Sequence, residues 1–93
     1  MFKKKKSPEF HKIAEYIHMH KHKIIRKGSC GILRYSVGKL YMRGVLISPL
    51  KDILYSLYID GNLIKLRHKE KEKLWSILNR IYDDKSKQLI QGL

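Results

Sequence analysis

Four side chains at helical spacing carry the most conspicuous chemistry in the chain: His11, Glu15, His18 and His22 follow one another at intervals of four, three and four residues. A helix would bring them onto one stripe, and Glu15-Tyr16-Ile17-His18 has the Glu-x-x-His form found in metal-binding helical bundles. Such a centre needs matching ligands from other helices, and elsewhere the sequence offers a single histidine, His68. The stripe therefore reads as a solvated polar face. Neither a metal nor another cofactor is expected.

Catalytic patterns are equally thin. The chain has no P-loop and no Gly-x-Gly-x-x-Gly. Asp60, Glu70 and Glu72 do not complete the acid-x-Lys pair of a metal-dependent nuclease, because Lys71 and Lys73 stand at the wrong offsets. Metal-free RNA cleavage needs a base, a proton donor and phosphate-binding cations, and His68, Tyr82 and Arg67 are of those types. A small basic ribonuclease toxin is thus one alternative, although the spacing does not assemble such a site. The expectation is a protein that is not an enzyme.

What remains is charge. Lys and Arg number 21 against 8 acidic residues, a net +13 on 93 residues. Self-repulsion on that scale destabilises a compact chain and points to a polyanionic partner, most simply nucleic acid. The charge is uneven: residues 1–27 hold nine basic side chains, namely Lys3, Lys4, Lys5, Lys6, Lys12, Lys21, Lys23, Arg26 and Lys27, against two acids. Residues 1–6 read as a flexible basic arm on one small domain spanning residues 1–93. Lysines in an arm neutralise phosphates and release counterions, which gives salt-sensitive affinity without sequence preference. The competing reading of the arm is a solubility tail.

The elements that must position these charges follow from apolar spacing. Ser7-Pro8-Glu9 offers a capping serine, a first-turn proline and an acid at the positive end of the helix dipole. Phe10, Ile13, Ile17 and Ile24 then share a side, which predicts a helix over residues 8 to about 23. From Cys30 to Ile47 the chain turns β-rich, with a hairpin expected at Val37-Gly38. Pairing Ser36 with Lys39 puts Tyr35, Leu33, Leu40 and Met42 on one face, and Arg34, Ile32, Tyr41 and Arg43 on the other. Ser48-Pro49 followed by Leu50, Ile53, Leu54 and Leu57 predicts a second helix, ended by Asp60-Gly61. The competing reading makes Asp60-Gly61 the turn of a hairpin over residues 55–66. Residues 62–66 read as a short strand that adds Lys65 and Arg67 to the basic face. Leu74, Ile77, Leu78 and Ile81, flanked by Trp75 and Tyr82, predict a third helix over residues 69–83, frayed by Asp83, Asp84, Lys85 and Ser86. Leu89 and Ile90 would dock back.

The fold class expected is α+β: helix, hairpin, helix, short strand, helix, with a small antiparallel sheet packed on helices. A winged-helix-like arrangement, with residues 48–59 as the recognition helix, is the alternative. The hairpin's basic face, with Arg34, Lys39, Arg43 and Tyr41, joined by Lys65 and Arg67, is the sharpest candidate for a nucleic-acid platform. An ordinary solvated face competes with it. Trp75, Tyr55, Tyr58 and Tyr82 are expected to pack in or beside the core.

The leading expectation is a nucleic-acid-binding protein. A second is a small inhibitor or adaptor that docks onto an acidic, nucleic-acid-like groove of a larger enzyme, since carboxylates and phosphates attract the same lysines. The single Cys30 cannot close an internal disulfide, which suits a reducing, cytoplasmic setting. No apolar run is long enough for a membrane span, so no membrane partner is expected. With 5 arginines among the 21 basic residues, and many isoleucines and tyrosines, the composition suggests an AT-rich genome of the phage or plasmid kind.

Overall fold

The chain reverses direction four times between Ile25 and Leu63, and each reversal lays down an antiparallel neighbour. In the computed structural model, which describes residues 8–47 and 52–91, helix α1 (Pro8–Met19) and a 3-10 turn (Lys21–Lys23) lead into five strands. These are β1 (Ile25–Ser29), β2 (Ile32–Val37), β3 (Leu40–Ile47), β4 (Asp52–Ile59) and β5 (Asn62–Leu63), in spatial order β1-β2-β3-β4-β5. Helix α2 (His68–Gln91) follows. The architecture is α+β.

Three two-residue turns account for most of this order. Asp60 and Gly61 both take positive φ, 56° and 79°, as a type I′ turn requires. That geometry matches the right-handed twist of the flanking strands, and it makes residues 52–63 a hairpin. The helix expected over residues 48–59 is therefore replaced by β4, and with it goes the recognition helix of the winged-helix alternative; Ser48 to Lys51 lie outside the described residues. Cys30 and Gly31 form a second such turn, with φ of 33° and 80°. It makes a strand of Ile25–Ser29, where a helix end and a loop were expected.

The central hairpin turns at Gly38-Lys39 rather than Val37-Gly38, so Tyr35 pairs with Met42, Arg34 with Arg43 and Ser36 with Tyr41. The pairing differs from the expected one by two residues. A two-residue slip leaves every side chain on its own face, so the expected division into an apolar and a basic face holds. β5 is only Asn62–Leu63, and the chain leaves the sheet at Ile64, whose N–H still bonds Leu57 O at 2.8 Å.

The inner face of the sheet comprises Tyr35 and Val37 from β2, Leu40 and Met42 from β3, and Tyr55 and Leu57 from β4, all buried. Both helices cover that face: Phe10, Ile13 and Ile17 of α1 and Leu74, Trp75, Leu78 and Ile81 of α2 join the same cluster. α1 stops at Met19, short of the expected boundary, because the 3-10 turn must redirect the chain to bury Ile24 and begin β1. α2 runs past Asp83, without glycine or proline to stop it, and Lys85 anchors it by donating to His22 O and Ile24 O, both at 3.1 Å. Its first turn is closed by Glu70, which accepts from the Arg67 N–H at 3.3 Å in the manner of a capping box. The side chains of Leu89 and Ile90 lie outside the described residues.

Trp75 organises the inner face. Its ring meets Tyr35 edge-on at 5.0 Å and Tyr55 at 5.3 Å, and it lies directly over Gly44 of β3. A Cβ at Gly44 would come within 2.8 Å of two ring atoms, closer than any real contact. The small gain in strand propensity from Gly44→Ala is outweighed by that overlap, and the variant is expected to lose about 1–3 kcal/mol, read as a lower urea midpoint. An unchanged midpoint would mean that the ring can move aside.

Tyr35 lies between the layers. Its hydroxyl donates to Asn79 Oδ1 on α2, and Arg26 approaches it from β1. Burial raises its pKa above the usual value, against the opposing pull of the Arg26 hydrogen bond, and burial likewise raises that of Tyr55. A phenol held neutral in the folded state contributes stability that is complete below its unfolded pKa of about 10 and is lost as pH rises through the folded value. Phenolate absorbance is thus expected to show these two tyrosines ionising late, together with loss of structure, and Tyr35→Phe to weaken that alkaline transition.

Candidate functional site

Among the described residues, both helices pack on the inner face and neither covers the outer face of the sheet. By strand alternation it carries Ile25 and Lys27 of β1, Ile32, Arg34 and Ser36 of β2, Tyr41, Arg43, Val45 and Ile47 of β3, and Leu54, Ser56 and Tyr58 of β4. None of these belongs to the core cluster or the side chains packed against it.

Register sorts these residues into rows across the strands. One row runs Ile25, Ser36, Tyr41, Tyr58, Leu63; the next runs Lys27, Arg34, Arg43, Ser56; the third runs Ser29, Ile32, Val45, Leu54. A cationic band thus crosses the sheet between two largely apolar bands. Neighbouring strands lie about 4.8 Å apart and neighbouring rows about 6.6 Å apart.

The cationic band is electrostatically unfavourable in isolation. Like charges directly opposite one another across strands are destabilising, on the order of 0.2–1 kcal/mol for each pair. Lys27 faces Arg34 and Arg34 faces Arg43, and among the described residues the one acid on this face is Asp52, two rows away. At about 13 Å that carboxylate is beyond a Debye length in physiological salt. Arg43 is only half exposed, and its Nε finds no hydrogen-bond partner among the described residues. The repulsion within the band is therefore not offset by any acid of this face among the described residues.

Beside it, Tyr41 and Tyr58 form a cross-strand pair with ring centroids 5.9 Å apart. Both are half-buried and stand in the row next to the cationic band. Tyr58 was expected beside the core, a consequence of reading residues 48–59 as a helix; as a strand residue it faces outward. Lys27, one of the nine basic side chains of residues 1–27, stands on β1 opposite Arg34 and so belongs to the sheet.

The other expected binding residues disperse. Arg26 points to the inner side, its guanidinium 4.2 Å from the centre of the Tyr82 ring. Lys39 sits in the hairpin turn, 3.9 Å from Asp60. Lys65 and Arg67 leave the sheet after β5 and line a shallow depression with Glu9 and Glu70, so they do not extend the basic face. Lys12, Lys21 and Lys23 are exposed on α1 and the 3-10 turn. Lys3, Lys4, Lys5 and Lys6 lie outside the described residues.

The remaining candidate chemistry does not assemble. No group of three or more metal-ligating side chains occurs among the described residues. His68 stacks near Tyr55 at 5.4 Å, whereas Tyr82 lies fourteen positions further along α2, about 21 Å away by helical rise. The base and the proton donor of the ribonuclease alternative are thus not brought together. No described helix is long and apolar enough to cross a membrane. No family model, no curated protein and no solved structure matches the chain.

Proposed function

We propose that the chain is a non-enzymatic nucleic-acid-binding protein that lays a single strand across the open face of its sheet. The observation that carries the reading is the uncompensated row Lys27, Arg34, Arg43 beside the Tyr41–Tyr58 pair. Phosphates relieve the repulsion within the row, and bases stack on the tyrosines or lie against the flanking apolar side chains. Lys3 to Lys6 add affinity that does not depend on sequence. An exposed sheet face suits an unpaired strand better than a duplex, whose bases are already stacked on one another. The exposed thiol of Cys30 is in keeping with a reducing, cytoplasmic setting.

Titration with single-stranded DNA, duplex DNA and RNA across a salt series tests this. Micromolar or tighter binding to a single strand is expected, with log K falling by about 0.7 per log unit of salt for each phosphate neutralised. If none of the three binds at low salt, the reading fails.

A second reading is favoured by the apolar rows. Ile25, Leu54 and Leu63 remain 53%, 55% and 57% exposed on the same face, which suits an acidic protein surface with apolar contacts, as the inhibitor or adaptor role requires.

A further inference from the structure

We propose that the cleft between the end of α1 and the second half of α2 is a separate site for a terminal phosphate or pyrophosphate group. Its volume is about 520 Å³, within the range of small-molecule sites. One wall is His18, Lys21 and His22; the other is Arg80, Asp84 and Lys85, with Ile81 at its base. The cleft is on the helical side of the protein, remote from the open sheet face, and the inference stands independently of the role given to that face.

Three permanent cations oppose one carboxylate here, and two imidazoles add donors and, when protonated, further charge. A phosphate monoester carries about −1.5 to −2 at neutral pH, which matches that excess. In the 3-10 turn that follows α1, the carbonyl of His22 and, just beyond it, that of Ile24 both accept from the Lys85 ammonium, at 3.1 Å each. That contact fixes Lys85 at the cleft wall and leaves one of its three N–H donors for a ligand. Lys21 and Arg80 have no ion-pair partner among the described residues, and Asp84 does not take up Lys85. Arg80 presents the planar fork suited to bidentate phosphate recognition.

Two sources share this chemistry: a free phosphorylated small molecule, and the 5′-phosphate end of a nucleic acid. Titration of the full chain with sodium pyrophosphate at constant ionic strength, followed by calorimetry and by NMR, is expected to give saturable one-to-one binding with a Kd below about 1 mM. The amide signals of residues 18–22 and 80–85 are expected to shift. The double variant Lys21→Gln/Arg80→Gln should weaken binding at least tenfold, whereas Arg34→Glu on the sheet face should leave it within twofold. Competition by a 5′-phosphorylated oligonucleotide but not by its 5′-hydroxyl counterpart would identify a nucleic-acid end as the source. Competition by neither would identify the free small molecule. The proposal is overturned if pyrophosphate does not saturate, or if the shifts and the loss of affinity follow Arg34 instead. The wild-type shifts locate the site even if the double variant is poorly folded.

Discussion

Arg34→Glu is expected to make the protein more stable and a worse binder at the same time. Arg34 is flanked by Lys27 on one side and Arg43 on the other, so reversing its sign turns two repulsive cross-strand pairs into two attractive ones. Each such change is worth about 0.2–1 kcal/mol, and in a protein of this size 1 kcal/mol moves Tm by about 4–8 °C. A rise of several degrees should therefore be visible by circular dichroism. Over the same substitution, affinity for single-stranded DNA is expected to fall at least tenfold, and the salt dependence by about 0.7 for the lost phosphate. A control with the same change in net charge, Lys69→Glu on exposed α2, should alter affinity by less than threefold. The opposite signs of the two effects separate a binding role from a structural one. A variant that is more stable and binds as before would show that the row is merely tolerated, and the sheet-face reading would be wrong.

The second large effect belongs to the core. Trp75→Ala removes the side chain that touches Tyr35, Tyr55 and Gly44 together, and large aromatic truncations in cores cost about 3–5 kcal/mol. Small proteins have only about 5–15 kcal/mol in total, so the variant should sit near the edge of folding at 37 °C. Refilling from the sheet is obstructed because the residue beneath Trp75 is a glycine, which offers no side chain to move into the void. Trp75→Phe should recover roughly half of the loss by keeping an aromatic contact. Urea melts followed by circular dichroism measure both variants. A loss below 1 kcal/mol for the alanine variant would mean that α2 can settle onto the sheet without its aromatic wedge.

The parts of this molecule that were legible in the sequence are those whose two sides differ. α1 announced itself through Ser7-Pro8-Glu9 and a one-sided apolar pattern, and α2 through Leu74, Leu78 and Ile81. The basic and apolar faces of the central hairpin were assigned correctly despite the two-residue slip, since face depends on parity rather than on register. β4 was hidden for a definite reason. Leu54 and Tyr58 face outward while Ile53, Tyr55 and Leu57 face inward, so apolar residues occupy both sides and alternation disappears. Leu50, Ile53, Leu54 and Leu57 then imitate a helical stripe. The Asp60-Gly61 turn was the contrary signal, and it prevailed. β1 was hidden in a different way: Ile25–Ser29 is an edge strand with all five residues exposed, and it presents no apolar period at all. The candidate site suffered with these two strands, because Lys27 belongs to β1 and Tyr58 to β4.

The order of elements also has a consequence during synthesis. Every strand pairs with its neighbour in sequence, and such local connections form rapidly, within microseconds for a hairpin. The layer that seals the inner face comes last, since Trp75, Leu78 and Ile81 all belong to α2. Until α2 docks, the paired strands leave Met42, Leu57 and their neighbours with only α1 to shield them. Premature termination before residue 74 should consequently yield chains that recruit chaperones or aggregate.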